Sequence, residues 1–522
     1  MTRVDYLLVG AGAAGAAVAH RLSADPSVTV LLLEAGRRDI SPLIHIPSGF
    51  TRLRTYSWLY LTVPQKAMDD ATKLYPQGRT LGGGTAVNSM IYIRGQRHDF
   101  DDWAALGNPG WDYEHVLPYF RRAESYPRID DAYHGQDGPL GIGRLPGYNP
   151  LSEAFVAAGL ELGLPYNPDF NGATQHGVGY YDVTQHRGWR VTASTAYLRP
   201  VRRRPNLEVR LRATVTRVLV ENGRAVGVVY RSGGREHVVR AEREVVLCGG
   251  AVNSPALLLR SGIGPADELR AVGIDVRHDL PGVGRNLQDH LDVAMTSRTS
   301  AVSYNNLGRS WRLPGAAVEY MVRRSGPITS NVAEAGLFQS IDGDERPDLQ
   351  MSALPTYGNG ERRAGHGFTL NVTYLRPQSR GTVTLRSADP AVAPVVDPNY
   401  LAEPADWVGT RAGIAMARDV LATRALRDLD VDELEPGPLV TDERGLRGYV
   451  NKRSRTSYHP VGTCAMGTGD EAVVDPQLRV RGLEGLRVVD SSIMPRLVSG
   501  NTMAASYMIG EKGSDLILGR AC

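Results

Sequence analysis

The chain is poor in the residues that mark several protein classes. Only three of its 522 residues are cysteine, Cys248, Cys464 and Cys522. Three cannot build a disulfide framework, and their spacing fits no metal-ligand pattern; they suit a reducing compartment. Lysine occurs only at Lys66, Lys73, Lys452 and Lys512, so arginine supplies nearly all of the 59 basic residues. Those arginines are scattered, and 56 acidic residues bring the net charge to only +3. A nucleic-acid protein would show a concentrated basic excess, so that class is excluded. No apolar run approaches the ~18 residues of an integral membrane segment. The first apolar run, residues 6–9, is too short for a secretory leader and enters a glycine turn directly. The chain is therefore expected to begin on its first strand and to reside in the cytoplasm. Repeats at solenoid or propeller periods and low-complexity tails are also missing.

What is abundant is glycine, 58 of 522 residues, or about 11% against an average near 7%. Such an excess calls for many tight turns or for backbone packed close to a large ligand. The first forty residues supply one location. A buried strand at 4–9 is followed by Gly10-Ala-Gly12-Ala-Ala-Gly15, helical spacing over 16–23, a second strand at 28–33, and Glu34. A lone G-x-G-x-x-G is weak, but strand, glycines, helix, strand and a following acid form the dinucleotide-binding context. Gly10 permits the turn, Gly12 lets backbone amides approach a pyrophosphate, and Gly15 lets helix and strand pack closely. The helix N-terminus faces the phosphates, and Glu34 can accept from both ribose hydroxyls. An acid here disfavours a 2′-phosphate, leaving NAD and FAD.

A second cluster separates these two. Gly78-Arg-Thr-Leu-Gly-Gly-Gly84-Thr-Ala-Val-Asn88-Ser-Met-Ile-Tyr-Ile-Arg94-Gly95 places three glycines beside an asparagine and flanking arginines. The string resembles the first signature of the glucose–methanol–choline oxidoreductases, which use FAD. Gly250-Ala-Val-Asn-Ser-Pro-Ala-Leu-Leu-Leu-Arg-Ser-Gly-Ile-Gly-Pro265 resembles the second signature, and Pro281-Gly-Val-Gly-Arg-Asn-Leu-Gln-Asp-His290 its adjoining loop. Tyr458-His-Pro-Val-Gly-Thr-Cys-Ala-Met-Gly467 and Val488-Val-Asp-Ser-Ser-Ile-Met-Pro-Arg-Leu-Val-Ser-Gly-Asn501 resemble the catalytic and flavin-facing segments. The matches follow the family's order from Val4 to about Leu518, and their look is closest to the choline-dehydrogenase-like branch.

The resemblance implies an α/β protein: a Rossmann-like FAD-binding domain and a second, α+β substrate domain built on an antiparallel sheet. It places a discontinuous FAD-binding domain at 1–155, 201–295 and 455–522, and the substrate domain at 156–200 and 296–454. Local patterns agree, with strands expected at 206–211, 214–220, 225–230 and 244–248 and helical spacing over 255–261. In the second domain, 369–375 and 382–386 alternate like antiparallel strands, and 406–423 reads as an amphipathic helix.

The resemblance also implies the chemistry, oxidation of an alcohol to a carbonyl with hydride transfer to flavin N5. A base near neutral pKa is needed, and histidine is the natural choice. By position His459 is that base. Asn501 takes the second catalytic position, where an amide can stabilise the alkoxide but cannot act as a base. His290 is expected to be structural. The FAD contacts carried over are Gly10, Gly12, Ala13, Ala14, Gly15, Glu34 and Ala35 for the ADP half. Arg79, Gly83, Asn88 and Ser89 follow near the flavin, Val215 by its backbone at adenine, Asp490 near the ribityl and pyrophosphate, and Thr502 and Met503 along the isoalloxazine. Met503 and Ala505 stand where many relatives have asparagine and proline, so Met503 is open to either core packing or a cofactor contact. Some relatives attach FAD through a histidine just before the residue matching Asn88; Val87 stands there, so FAD is expected to be non-covalent. No metal is implied.

The partners expected are a small-molecule alcohol and, as electron acceptor, oxygen or a quinone or other compound, with dehydrogenase slightly favoured over oxidase. The alternative reading is an FAD-containing lyase of the hydroxynitrile-lyase kind, or a decarboxylase, on the same scaffold. Choline would need a carboxylate and aromatic faces. Glu334 is a candidate carboxylate, and Tyr304, Trp311 and Tyr357 are candidate entrance aromatics; Ser457 and Tyr458 flank the base. Aromatic residues are only 7% of the chain, so a cage is not evident.

Overall fold

The computed structural model describes residues 2–305, 307, 313–358 and 363–520. Two seven-stranded sheets organise them. In the first, Leu207–Leu211, Val30–Glu34, Thr2–Val9 and Arg235–Leu247 run parallel in that spatial order, and Leu486–Val488 also joins Arg235–Leu247 in parallel. Parallel strands covered on both faces need near-continuous apolar sequence. Val30–Glu34 meets this with five buried residues in a row. Arg235–Leu247 does two jobs in 13 residues. Its polar first half pairs antiparallel with Arg224–Ser232, which in turn pairs with Thr214–Glu221. Its apolar second half enters the parallel core, so only 244–248 is legible from hydrophobicity.

The helix Ala13–Leu22 leaves the first glycine turn and packs along Met503–Leu518. The two approach so closely that a Cβ on Gly510 would stand 2.7 Å from the Ala14 Cα. Glu511 sits at this junction with 0% exposure. It accepts from Arg21 Nε at 2.8 Å, from Arg122 Nε at 2.7 Å and from the Tyr197 hydroxyl at 2.9 Å. One carboxylate thus ties three separated segments to the C-terminal helix.

The second sheet is antiparallel throughout. Its order is Asp432–Glu435, Leu291–Thr299, His366–Tyr374, Leu349–Leu354, Ala335–Gln339 and Gly177–Tyr180, with Arg455–Thr456 also paired to Leu291–Thr299. The helices Pro404–Leu421 and Pro150–Glu161 pack against it. Strand alternation divides its residues. Val293, Met295, Leu370, Val372, Met351 and Ala353 join the helices in one core, while their polar neighbours face the other way. Leu291–Thr299 crosses the border expected at 295, and Pro150–Glu161 starts before the one expected at 156. Among the described residues, no helix is long and apolar enough to cross a membrane.

Replacing Glu511 by glutamine removes the charge that two arginines share. The arginines keep partial solvent contact, so the expected loss is moderate, about 2–3 kcal/mol of stability. Urea unfolding of Glu511→Gln should show it as a lower midpoint; an unchanged midpoint would mean the cluster contributes no net stability.

Candidate active site

A cavity of about 1750 Å³ runs between the two sheets, well above the ~300–1,000 Å³ of a drug-sized site. One end is a glycine cradle. Gly10 sits at φ +106°, and a Cβ there would lie 2.4 Å from the Cys248 carbonyl oxygen. Gly15 does not line the cavity; a Cβ on it would stand 2.0 Å from the Gly10 oxygen, so it serves close packing. Gly83 lies against Gly12, with a Cβ on it 2.8 Å from the Gly12 Cα. A Cβ on Gly12 or Gly84 would meet no protein atom within 4 Å, although both residues line the cavity. Side chains at those two positions would occupy space that the fold keeps open along exposed backbone. A flat dinucleotide such as FAD fits that requirement.

Ala13, Ala14, Ala35, Ser89, Val215 and Thr502 line the same cavity, as do Glu34 and Asp490. Both acids are buried, which pushes their carboxyls up while hydrogen-bond donors oppose the rise. Glu34 accepts from the Ala11 amide at 2.9 Å and from the Gly36 amide at 2.7 Å, so it also closes the glycine turn. Asp490 accepts from the Gly250 amide at 2.8 Å, the Ser254 hydroxyl at 2.6 Å and the Ser492 amide at 2.8 Å. It thereby holds the start of the helix Gly250–Arg260 against the segment leading to Asn501. Arg79 departs from expectation. Its guanidinium stacks on Trp58 at 3.9 Å from the ring centroid, its side chain is exposed, and it is not among the cavity-lining residues.

Asn88 and Met503 meet directly: Asn88 Nδ2 donates to the Met503 sulfur at 3.0 Å, and both line the cavity. Met503 is therefore core-packed and cavity-facing at once. Arg190 sets the amide's orientation by donating to Asn88 Oδ1 at 2.8 Å. This arginine is fully buried, and burial pulls its guanidinium down to about 9. No sequence motif singled it out.

At the other end of the cavity lie His459 and Asn501. The pairing of Leu291 with Thr456 carries the two chains on to Ser457, whose amide donates to the His290 carbonyl at 2.9 Å. Tyr458 turns the chain at φ +64°, a costly conformation for a bulky residue. Its neighbour His459 is anchored by its own amide, which donates to Asp289 at 2.9 Å. Asp289 also accepts from Thr456 and Tyr400, and burial raises its carboxyl to about 6. On the opposite wall, Gly500 at φ +149° packs where a Cβ would lie 2.5 Å from Ile93. Asp99 holds Ser499 by its amide and hydroxyl. Asn501 is thus delivered just before the C-terminal helix.

The proton arrangement follows from the partners. His290 Nε2 lies 3.0 Å from the Leu375 carbonyl, which only accepts, so Nε2 carries the proton. Burial drives His290 down to about 4, leaving it neutral with a bare Nδ1. That nitrogen is 3.0 Å from His459 Nδ1, so His459 must donate from Nδ1 and keep Nε2 bare. Asn501 Nδ2 donates to this Nε2 at 3.0 Å. Gln350 Nε2 fixes the amide by donating to Asn501 Oδ1 at 3.3 Å and to Tyr181 at 3.0 Å. Burial and the adjacent His290 hold His459 well below the ordinary histidine range. His290 is therefore more than scaffolding. The two histidines are 169 residues apart in sequence, and no local pattern signals their meeting.

Glu334 lies elsewhere. It is fully buried and accepts from Tyr304, Ser330, Ser152 and the Asn149 amide. It does not line the cavity. Tyr304 lines it but commits its hydroxyl to Glu334, Tyr357 is buried outside the lining, and Trp311 lies outside the described residues. Ser457 and Tyr458 both line it, Tyr458 half-exposed.

Comparison with known proteins agrees with this architecture. A sequence profile described as GMC oxidoreductase matches residues 4–292, and a second with the same description matches 377–510. The chain is 44% identical to an alcohol dehydrogenase [acceptor] of Pseudomonas putida, over 98% of this chain and 95% of that one. It is 41% identical to an oxygen-dependent choline dehydrogenase of Sinorhizobium fredii, over 99% and 96%. The crystal structure of pyridoxine 4-oxidase from Mesorbium loti superposes with a TM-score of 0.88 at 32% identity, covering 98% of both chains. The protein belongs to the glucose–methanol–choline oxidoreductases, with their fold, their FAD and their oxidation of CH–OH groups.

Proposed function

We propose that His459 is the general base of this alcohol oxidation and that Asn501 steadies the oxygen it deprotonates. The supporting observation is the Nδ1–Nδ1 contact of His459 with neutral His290, which leaves a bare Nε2 facing the Asn501 amide. An alcohol oxygen entering here donates its proton to Nε2 and accepts from Asn501 Nδ2. FAD, when bound, supplies the two-electron acceptor for the hydride leaving the alcohol carbon. The alcohol loses one proton and one hydride and becomes a carbonyl. Asn501 offsets the negative charge that develops on oxygen, and its amide needs no reorientation because Gln350 holds it. No observation favours a lyase.

The segments around the parallel sheet are assigned to FAD and those around the antiparallel sheet to the alcohol, near the borders expected from sequence. Gly10, Gly12, Gly83, Glu34 and Asp490 would hold the dinucleotide, and Asn88, Thr502 and Met503 its flavin end. We take the acceptor to be a compound other than oxygen, in line with the name alcohol dehydrogenase [acceptor] of the Pseudomonas putida relative, with a quinone as the candidate expected from sequence, and the location to be the cytoplasm. Val87 lines the cavity and offers no nucleophile, so FAD is held without a covalent bond.

Two outcomes follow. Acid precipitation should release all of the flavin into the supernatant; yellow pellets would contradict non-covalent binding. Anaerobic flavin reduction by an alcohol should be insensitive to pH from about 7 to 9. The base is reactive when neutral, and its lowered pKa postpones protonation to the acid side of ~6.5. A limiting rate still climbing through pH 8 would point to another base. In the same cuvette, an added quinone should restore the yellow colour faster than air; faster recovery in air, with peroxide, would reverse the acceptor assignment.

A further inference from the structure

Outside the cavity, the helix Leu313–Arg323 departs from the pattern of a packed helix, whose apolar side chains face inward. Its inner face holds Ala316 and Tyr320, both buried. Pro314, Val318, Met321 and Val322 recur at helical spacing on the other side and are exposed, the last three at 55%, 62% and 75%. Single exposed apolar residues such as Val408 are ordinary, whereas three within about one turn form a patch. Trp189, 40% exposed, extends it. Its ring meets Tyr320 edge-on at 6.0 Å, and the Tyr320 hydroxyl donates to the Gly188 carbonyl at 2.9 Å.

The charge around the patch is mainly positive. The Arg324 guanidinium lies over Trp189 at 4.6 Å from the ring centroid and over Tyr320 at 4.9 Å. Arg323 closes the helix and Arg187 sits two residues before Trp189, both exposed. None of these three arginines pairs with an acid among the described residues. The acid on the helix itself, Glu319, accepts from the Ser325 hydroxyl at 2.9 Å.

The patch adjoins the cavity. Leu313 at the helix start and Pro327 and Ile328 after its end are lining residues. Pro327–Thr329 packs against Pro47–Arg52, whose Arg52 lines the cavity and is exposed. Arg190, next to Trp189, orients Asn88. A helix of 11 residues is too short to span a bilayer. An apolar face with tryptophan beside it and arginine around it suits the bilayer surface instead. A two-fold contact with a second copy would turn the arginines of each chain toward those of the other, with no acid supplied between them.

We propose that this face docks on an anionic lipid bilayer, with Val318, Met321, Val322 and Trp189 in the headgroup–acyl boundary and Arg187, Arg323 and Arg324 among the lipid phosphates. Docking there holds the cavity rim at the lipid surface, where a lipid-soluble acceptor or alcohol concentrates. Flotation of the holoenzyme tests it, with vesicles of phosphatidylcholine alone or carrying ~30% phosphatidylglycerol. The protein should partition onto the anionic vesicles at least about tenfold better, and less so at high salt. Met321→Glu/Val322→Glu and Arg187→Glu/Arg323→Glu should each lower that partitioning by about tenfold or more, with flavin content and melting temperature as folding controls. Brominated acyl chains should quench part of the tryptophan emission of the unaltered protein, and Trp189→Phe should remove that part. Equal binding to both vesicles, no binding, binding that survives the glutamate substitutions, or quenching that persists in Trp189→Phe would overturn the proposal. So would a dimer in sedimentation velocity that Met321→Glu/Val322→Glu dissociates, since the face would then belong to a second copy.

Discussion

Two imidazoles buried beside each other can share only one arrangement of protons at low cost. A charged pair 3.0 Å apart, away from solvent, would carry both desolvation and mutual repulsion. The Leu375 carbonyl fixes the proton on one ring, and the other ring must then turn its bare nitrogen toward Asn501. Both strands that deliver these rings come from the antiparallel sheet, and the register of Leu291 with Thr456 sets their separation. Asn501 arrives from the opposite side, at the start of the helix that packs on the first glycine turn. The proposed reacting centre is thus assembled where the antiparallel sheet meets the segment that leads into the C-terminal helix.

The remainder of the cavity follows from the same division. The parallel sheet ends in turns where side chains are absent and backbone is left open, which suits a flat dinucleotide. The antiparallel sheet has one apolar face against helices and one polar face toward the cavity. Its alternation places amides and hydroxyls beside Asn501 without burying a free charge.

Features carried by contiguous residues were legible in the sequence. Gly10 to Glu34 is one strand–turn–helix–strand unit, and the segments holding His459 and Asn501 are continuous strings. Features created by long-range register were not. His290 lies in a glycine-rich loop and gains its role only from a strand pairing far along the chain. Glu334 has the chemistry of a cation-binding acid, but four donors from separated segments consume it. Arg79 sits within a cofactor-binding string, yet its guanidinium stacks on Trp58 and only Trp58 of the two lines the cavity. The first half of Arg235–Leu247 is too polar to declare itself a strand, because its own side chains lie at the solvent-exposed end of the sheet, beyond the parallel core.

The proposed oxidation depends most on a bare nitrogen of His459 receiving the alcohol proton. Stopped-flow flavin reduction by a reactive alcohol, without oxygen, tests this with His459→Ala beside the unaltered protein. FAD should remain bound, since the substitution leaves the glycine cradle unaltered, and reduction should slow by roughly two to four orders of magnitude. Reduction at an unchanged rate would remove His459 from the chemistry and contradict the account.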